Sequence, residues 1–132
     1  MPRRLAEAIG SRRLEALTYV QEANLRARGT AWQAAVRAGT AAGGFTDVLE
    51  PEELFALHLN RGFAHMGVLH LDESERDVDA ALALADHEGA QELRYKAIHN
   101  RGCLAYVRGD LPRALALMRE ADELPVEVAR DR

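Results

Sequence analysis

Apolar residues recur at intervals of three and four along most of this chain, which is the spacing that places them on one face of an α-helix. Near the C-terminus, Ala114, Leu115, Leu117, Met118 and Ala121 lie on one side of such a helix, and the charged residues of the segment lie mostly on the other. A sustained alternation of apolar and polar positions, typical of a half-buried strand, is not found in the sequence. The pattern therefore predicts an all-α fold.

Turn and capping residues divide this pattern into separate helices. The signals for helix starts are Ser11, the pairs Thr30/Gln33 and Asp72/Glu75 with the spacing of a capping box, Pro51, and Asp110. We predict helices over residues 11–28, 30–43, 51–69, 72–87, 90–108 and 110–124, and the start of a seventh over residues 126–132.

One spacing, with small residues at most of its positions, occurs three times at a constant period of 40. The copies are Gly29, Ala34, Ala38 and Ala41; Leu69, Ser74, Val78 and Ala81; and Gly109, Ala114, Met118 and Ala121. Asn60-Arg61-Gly62 recurs as Asn100-Arg101-Gly102 at the same period. Repeats of this length cannot bury their apolar faces alone and stack into a solenoid. We therefore predict one helical repeat domain over residues 1–132, with repeats at about 11–50, 51–89 and 90–125.

The third copy, HNRGCLAYVRGDLPRALALMREADELP, resembles a tetratricopeptide repeat (TPR). Gly102, Ala114 and Ala121 match the small residues of that family, and Gly109 matches its turn glycine, whereas the first copy has Glu22 where glycine is expected. The period of 40 exceeds the usual length of about 34. The resemblance implies a right-handed α-solenoid of about three TPR-like helix-turn-helix repeats. The strings LHLNRG and IHNRG are similar to TPR arrays that precede CHAT peptidase domains in bacterial proteins.

The same resemblance implies where a ligand binds, because TPR proteins use a concave face lined by the first helix of each repeat. The peptide-binding residues that it implies are Tyr19, Leu59, Asn60, Phe63, Met66, Lys96, His99, Asn100, Cys103 and Tyr106. Asn60 and Asn100 are the most informative, because an amide both donates and accepts hydrogen bonds and can bind a peptide backbone. The alternative is that each asparagine only joins neighbouring helices.

Composition and charge narrow the range of functions. A net charge of −4 argues against a general nucleic-acid binder, and no apolar run approaches the roughly 18 residues that span a bilayer. The single cysteine, Cys103, excludes an intramolecular disulfide framework, and the first ten residues lack the apolar core of a signal peptide. We therefore expect a cytoplasmic protein that binds neither nucleic acid nor a membrane.

The chain offers little for catalysis or metal binding. His99 and Cys103 share a helix face, but no third group orients the histidine and no glycine-rich turn supplies an oxyanion hole. His58, His65 and His70 have spacings of 7 and 5, which we interpret as not converging on one face. We expect no enzyme activity, no metal and no cofactor, with a small Cys/His enzyme as the alternative.

These observations favour a scaffold that holds a protein or peptide in its concave groove. The alternative is a TPR sensor or substrate-recognition arm that belongs to a larger bacterial regulator or CHAT-type peptidase. The sixth helix should present Leu117 and Leu124 to a following helix, so we also expect self-association through the C-terminal end. We interpret the acidic run over residues 72–79 as a solvated outer face, with docking of a partner as the alternative.

Overall fold

A computed structural model describes residues 11–125 of the chain, together with residue 4, and every regular element in that part is helical. The α-helices are α1 (Arg12–Arg28), α2 (Trp32–Ala42), α3 (Pro51–Gly67), α4 (Leu71–Glu88), α5 (Gln91–Val107) and α6 (Leu111–Asp122), and a 3₁₀ segment (Gly43–Val48) follows α2. The predicted all-α fold is confirmed. None of these helices is long and apolar enough to cross a membrane. The helix expected over residues 126–132 lies outside the described residues.

The helices pack as three consecutive pairs, α1 with α2, α3 with α4, and α5 with α6. Because α3 also contacts both α1 and α5, the first helices of the three pairs lie side by side. Small buried residues join the pairs and let the backbones approach closely. The seam between the first and second pairs contains Ala27, Ala35 and Ala64, and the seam between the second and third contains Phe55, Ala81, Ala85 and Ala97.

The turns after α1, α3, α4 and α5 share one geometry, in which a single residue takes the left-handed backbone conformation. These residues are Thr30 (φ 61°), Leu69 (φ 63°), Gly89 (φ 63°) and Gly109 (φ 84°). The N–H of each such residue, and that of the residue after it, donates to a carbonyl of the last helical turn, which is the Schellman pattern. Glycine adopts this conformation without strain, whereas at Thr30 and Leu69 it costs about 1–3 kcal/mol.

These turns correct the predicted register of the first repeat. Leu69 and Gly109 are separated by one full period, as the sequence predicts, but the interval from Thr30 to Leu69 is one residue shorter. The sequence pattern placed Gly29 at the turn position, yet its φ is −83° and the left-handed residue is the next one. The first repeat is therefore one residue shorter, because its turn uses the threonine rather than the glycine.

The corrected register explains burial in the first pair. Ala23, and not Glu22, is the counterpart of Gly62, and Ala23 is completely buried. The counterparts of Ser74, Val78 and Ala81 are likewise shifted by one residue from the predicted positions, to Ala35, Gly39 and Ala42, all of which are buried. Every pair therefore has small or compact residues at its helix crossing, including the pair whose sequence match is poorest.

The predicted caps were right at two helix starts. The hydroxyl of Ser11 accepts a hydrogen bond from the backbone N–H of Leu14 (3.1 Å), and the carboxylate of Asp110 accepts one from the N–H of Arg113 (3.2 Å). Both side chains satisfy N–H groups that have no partner within the first turn of a helix.

Pro51 is the first residue of α3, as predicted. The capping boxes predicted at the other two starts were wrong. Thr30 does not form a capping box with Gln33, because α2 begins at Trp32 after Ala31, and a left-handed residue lacks the extended backbone of an N-cap. The pair Asp72 and Glu75 lies inside α4, which begins one residue before Asp72. In both cases the left-handed turn residue is followed by a single residue before the helix, so the helix starts where the turn ends.

Candidate functional site

A cavity of about 450 Å³ opens on the face formed by α1, α3 and α5, and we call it the central groove. It exists because α3 lies between the other two first helices, each of which turns part of its surface toward the same space. Its lining residues are Asn24, Ala27 and Arg28 of α1, Glu52, Phe55, Ala56, Leu59, Asn60 and Phe63 of α3, and Leu93, Lys96 and Asn100 of α5.

Half of the predicted binding residues meet in this groove. They are Leu59, Asn60, Phe63, Lys96 and Asn100. The resemblance to TPR proteins implied that the first helix of each repeat lines one face, and these five residues come from two of those helices. They combine amides, a cation and apolar side chains within one concave surface.

The other five predicted residues lie elsewhere. Tyr19 stacks on Phe45 of the 3₁₀ segment, with ring centroids 5.8 Å apart, and Met66 is buried with 7% exposure. His99, Cys103 and Tyr106 line neither the central groove nor the aliphatic cavity described below.

The amides of the central groove have a property that the sequence could not reveal. The chain contains only three asparagines, Asn24, Asn60 and Asn100, and all three line this cavity. Within residues 11–125, none of their side chains forms a hydrogen bond. The alternative that Asn60 and Asn100 join neighbouring helices therefore has no support in the described contacts. Asn24 was missed because the predicted register of the first repeat is wrong by one residue. In the observed register Asn24, and not Ala23, is the counterpart of Phe63.

The charges of the groove are also uncommitted. Arg28 and Lys96 form no ion pair with any residue of the described segment 11–125, and the same is true of Glu52. In contrast, Arg61 and Arg101, which lie beside two of the asparagines in sequence, are paired with carboxylates. The groove thus offers two cations and one carboxylate to a ligand.

An aromatic pair supports the apolar part of the groove. Phe63 is 37% exposed and packs edge-to-face on Trp32 of α2, with ring centroids 5.4 Å apart. The indole lies directly on Gly67, where a Cβ atom would come within 2.4 Å of the ring. Glycine is therefore required at this position, and the tryptophan holds the Phe63 ring at the edge of the cavity.

A second and larger cavity of about 850 Å³ lies between the N-terminal halves of α1 and α3, and we call it the aliphatic cavity. It shares Glu52 and Ala56 with the central groove, so the two cavities adjoin each other at α3. The remaining lining residues are Leu14, Leu17, Thr18, Val20 and Gln21 of α1, and Glu50 and Glu53 next to or within α3.

The acidic rim of the aliphatic cavity is partly engaged in holding α3. Glu50 and Glu53 form a reciprocal capping box at the start of this helix, which sequence reasoning missed because glutamate is an unusual N-cap. Arg13 donates two hydrogen bonds to Glu53, each of 2.9 Å. The Arg13 guanidinium holds the pKa of the Glu53 carboxyl below its usual range. Only Glu52 of the rim has neither a capping bond nor an ion pair among the described residues.

A polar cluster lies between α3 and α4, and it contradicts two expectations. Asp77 of α4 has a side chain only 4% exposed, and Arg61 donates to both of its carboxylate oxygens at 2.8 Å. His58 Nδ1 lies 2.9 Å from the same carboxylate, and His65 Nε2 lies 3.8 Å from it. A spacing of seven is two helical turns, so the two histidines do converge. The acidic run is therefore not simply a solvated face, because Asp77 is in the interior.

The charges of the polar cluster set its protonation. Burial would raise the pKa of Asp77, but hydrogen bonds from His58 and Arg61 outweigh it and the pKa lies below the usual value. Burial lowers the pKa of His65, whose Nδ1 is buried without a hydrogen-bond partner among residues 11–125. In this cluster Asp77 is therefore a carboxylate paired with the Arg61 guanidinium, and His65 is a neutral imidazole.

The remaining carboxylates of the acidic run are also paired. Arg108 of α5 contacts Asp72 (3.0 Å) and Glu75 (3.6 Å), and Arg101 pairs with Asp79. These pairs join α4 to α5 at the surface. An acidic docking patch for a partner is accordingly disfavoured, since its charges are neutralised within the chain.

The Cys103–His99 pair lacks the properties of a nucleophile and its base. The sulfur lies 3.9 Å from His99 Nδ1, and burial raises the pKa of the Cys103 thiol, which keeps it protonated. The ring of His99 stacks on Tyr95. No carboxylate within residues 11–125 orients this imidazole. Among the described residues, no group of three or more His, Cys, Asp or Glu side chains is arranged to hold a metal ion.

Comparison of the chain with protein-family models, with curated proteins and with solved structures gives no match. The resemblance to TPR proteins therefore depends on the repeated residues of the sequence alone.

Proposed function

We propose that this chain is a peptide-binding scaffold without catalytic chemistry of its own. Its three helix pairs form a right-handed TPR-like solenoid, and the central groove holds an extended segment of a partner protein. The observation that carries the proposal is that all three asparagines of the chain line one cavity with their amides uncommitted. Amides left free in a concave surface are available to the N–H and C=O groups of a ligand backbone.

The proposed binding mode uses two kinds of contact. Asn60 and Asn100 hydrogen-bond the ligand backbone, and Asn24 extends this row to α1. Leu59 and Phe63 provide the apolar contact that a segment of protein needs to leave water. Tyr19, Met66, His99, Cys103 and Tyr106 are not part of the proposed site, since they lie outside the cavity.

A selection with a phage-displayed library of random linear peptides tests this function. Peptides selected on the native chain should lose about ten- to a hundredfold in affinity for the double variant Asn60→Ala/Asn100→Ala, because two hydrogen bonds are removed. The matched control is Gln33→Ala/Gln91→Ala, which removes two exposed amides outside the groove and should leave affinity unchanged. Selected peptides that bind the groove variant and the native chain equally, with both folded by circular dichroism, would contradict the proposal.

We also propose self-association through the C-terminal pair, but not through the residues expected from the sequence. Leu117 is buried with 7% exposure, and Leu124 packs against the same apolar cluster. Tyr106 is 67% exposed, Leu111 52% and Leu115 48%. Met66, the counterpart of Tyr106 in the preceding pair, is buried, so this end has the character of an internal seam left open. A second copy of the chain is the proposed cover. Light scattering on the native chain should detect dimers that Leu111→Gln/Leu115→Gln removes, and a monomer at high concentration would refute the idea.

A further inference from the structure

Lys96 is the feature of the central groove that points most directly to the chemistry of a ligand. It is the only lysine of the chain, it is half-buried, and it lines the cavity with Asn60 and Asn100. No carboxylate of residues 11–125 forms an ion pair with it. In a chain of net charge −4, other cations at helix seams do find a carboxylate, as Arg61 and Arg101 show. The ammonium group is thus available to an anion that the ligand brings.

The aliphatic cavity has the opposite character. Three of the five α1 residues that line it are aliphatic, namely Leu14, Leu17 and Val20, and its rim carries Glu50 and Glu52. Apolar walls favour an apolar side chain, and the rim carboxylates repel an acidic one. An acidic side chain is therefore favoured at the Lys96 end and excluded from the other end.

We propose that the two adjoining cavities together select an extended segment with an acidic side chain at Lys96 and an apolar side chain in the aliphatic cavity, about four residues away. This inference rests on the proposed peptide-binding function and adds the chemical class of the ligand. The spacing follows from geometry: packed helices lie 8–10 Å apart, so the path from α5 to the cavity between α1 and α3 is roughly 12–15 Å, or about four residues of extended chain.

The segment is internal to its protein rather than a free C-terminus. The central groove adjoins the aliphatic cavity at Glu52 and Ala56, so a bound chain has space to continue beyond the Lys96 contact.

Peptide selection on variants tests this inference. Peptides from a phage library in which both ends of the random segment are flanked should be enriched in Asp or Glu about four positions from an apolar residue. Selection on Lys96→Glu should remove the acidic preference, and selection on Leu17→Gln should weaken the apolar one. The control is Arg119→Glu, which makes the same charge change on an exposed residue of α6 and should leave both preferences intact. Replacing the selected Glu by Gln in a synthetic peptide should lower its affinity for the native chain about tenfold or more.

The outcomes separate this inference from the proposed function. Groove-dependent peptides without the acidic preference, or binders found only when the library displays free C-termini, would overturn the inference and leave peptide binding intact. An acidic preference that survives Lys96→Glu would overturn it as well. If no selected peptide depends on Asn60 and Asn100, the proposed function itself fails.

Discussion

The second and third helix pairs cross at the same place with opposite chemistry. Gly62 lies at the crossing of α3 and α4, and Gly102 lies at that of α5 and α6. Around them, equivalent positions one repeat period apart carry a polar set in one pair and an apolar set in the other. His58, His65 and Asp77 of the second pair correspond to Ile98, Ala105 and Leu117 of the third, which belong to one buried apolar cluster.

The same crossing of two helices therefore forms around either a polar or an apolar set of side chains. In the third pair, burial of apolar side chains stabilises the crossing. In the second pair, the surrounding donors must offset the desolvation cost of a buried carboxylate. Such clusters seldom stabilise a protein more than a well-packed apolar core does. Losing one member of such a cluster is costly, however, because it leaves the others buried without a partner.

Removing Asp77 should have the largest effect. Asp77→Ala leaves the Arg61 guanidinium and His58 without their acceptor in a half-buried seam, and we expect the free energy of unfolding to fall by about 3–5 kcal/mol. Urea denaturation measures this change. Asp79→Ala is the control, because it removes the exposed partner of Arg101 and should cost less than about 1 kcal/mol. Equal losses in the two variants would mean that the polar cluster is not a buried unit.

Converting the second crossing into the third should reverse that loss. The variant His58→Ile/His65→Ala/Asp77→Leu/Thr40→Asp installs the apolar set. It also gives Arg61 a carboxylate on α2, at the position that corresponds to Asp79. We expect a stability equal to that of the native chain or higher by about 1–4 kcal/mol. The same variant without Thr40→Asp is the comparison. If the full swap is as unstable as Asp77→Ala, the two crossings are not interchangeable.

The crossing glycines should differ in how well they tolerate a methyl group. At Gly62, a Cβ would lie 3.0 Å from the Cβ of Asp77 and 3.4 Å from the carbonyl oxygen of Ser74. At Gly102 its nearest neighbour is the terminal methyl of Met118, at 2.9 Å, which can move. We therefore expect Gly62→Ala to cost about 1–3 kcal/mol and Gly102→Ala to cost less. Thermal unfolding compares them, with Gly44→Ala in open space as control; the reverse order would refute this account.

Acid should affect the polar crossing more than the apolar one. The pKa of Asp77 is lowered on folding, so its contribution to stability is complete above the usual carboxyl pKa and is lost as the pH falls through the folded value. The pKa of His65 is also lowered, so below about 6.5 the unfolded chain binds this proton first and stability declines. Tm measured from pH 7 to about 2, a range that includes the pH at which Asp77 becomes protonated, should therefore fall less steeply in the full crossing swap than in the native chain. If Tm falls equally steeply with pH in the two proteins, the polar cluster is not the cause of the acid sensitivity.

The helices and the close crossing within each helix pair could be predicted from the sequence, because apolar periodicity and small residues are local signals. The register of the first repeat could not, since Thr30 adopts the backbone that Gly29 was expected to adopt, and nothing in the sequence favours threonine there. The polar cluster was missed for a different reason. Its acceptor, Asp77, lies in a run of charged residues that looks solvated until α4 is placed against α3.

Half of the predicted binding residues lie in the central groove. Leu59, Asn60, Phe63, Lys96 and Asn100 were found because the repeat period carries one helix face onto the next. Asn24 was missed because the predicted register of α1 is wrong by one residue, so that Ala23 was paired with Phe63 in its place. That register depends on the turn at Thr30, which the repeated sequence pattern does not reveal.

The position of Trp32 has a consequence for spectroscopy. It is the only tryptophan of the chain, and its indole rests on Gly67 and against the Phe63 ring that lines the groove. Its fluorescence is therefore a built-in, label-free signal at the seam between the first two pairs. A ligand that displaces water from Phe63 would change the indole emission, so the arrival of a peptide could be followed in real time on the unmodified protein.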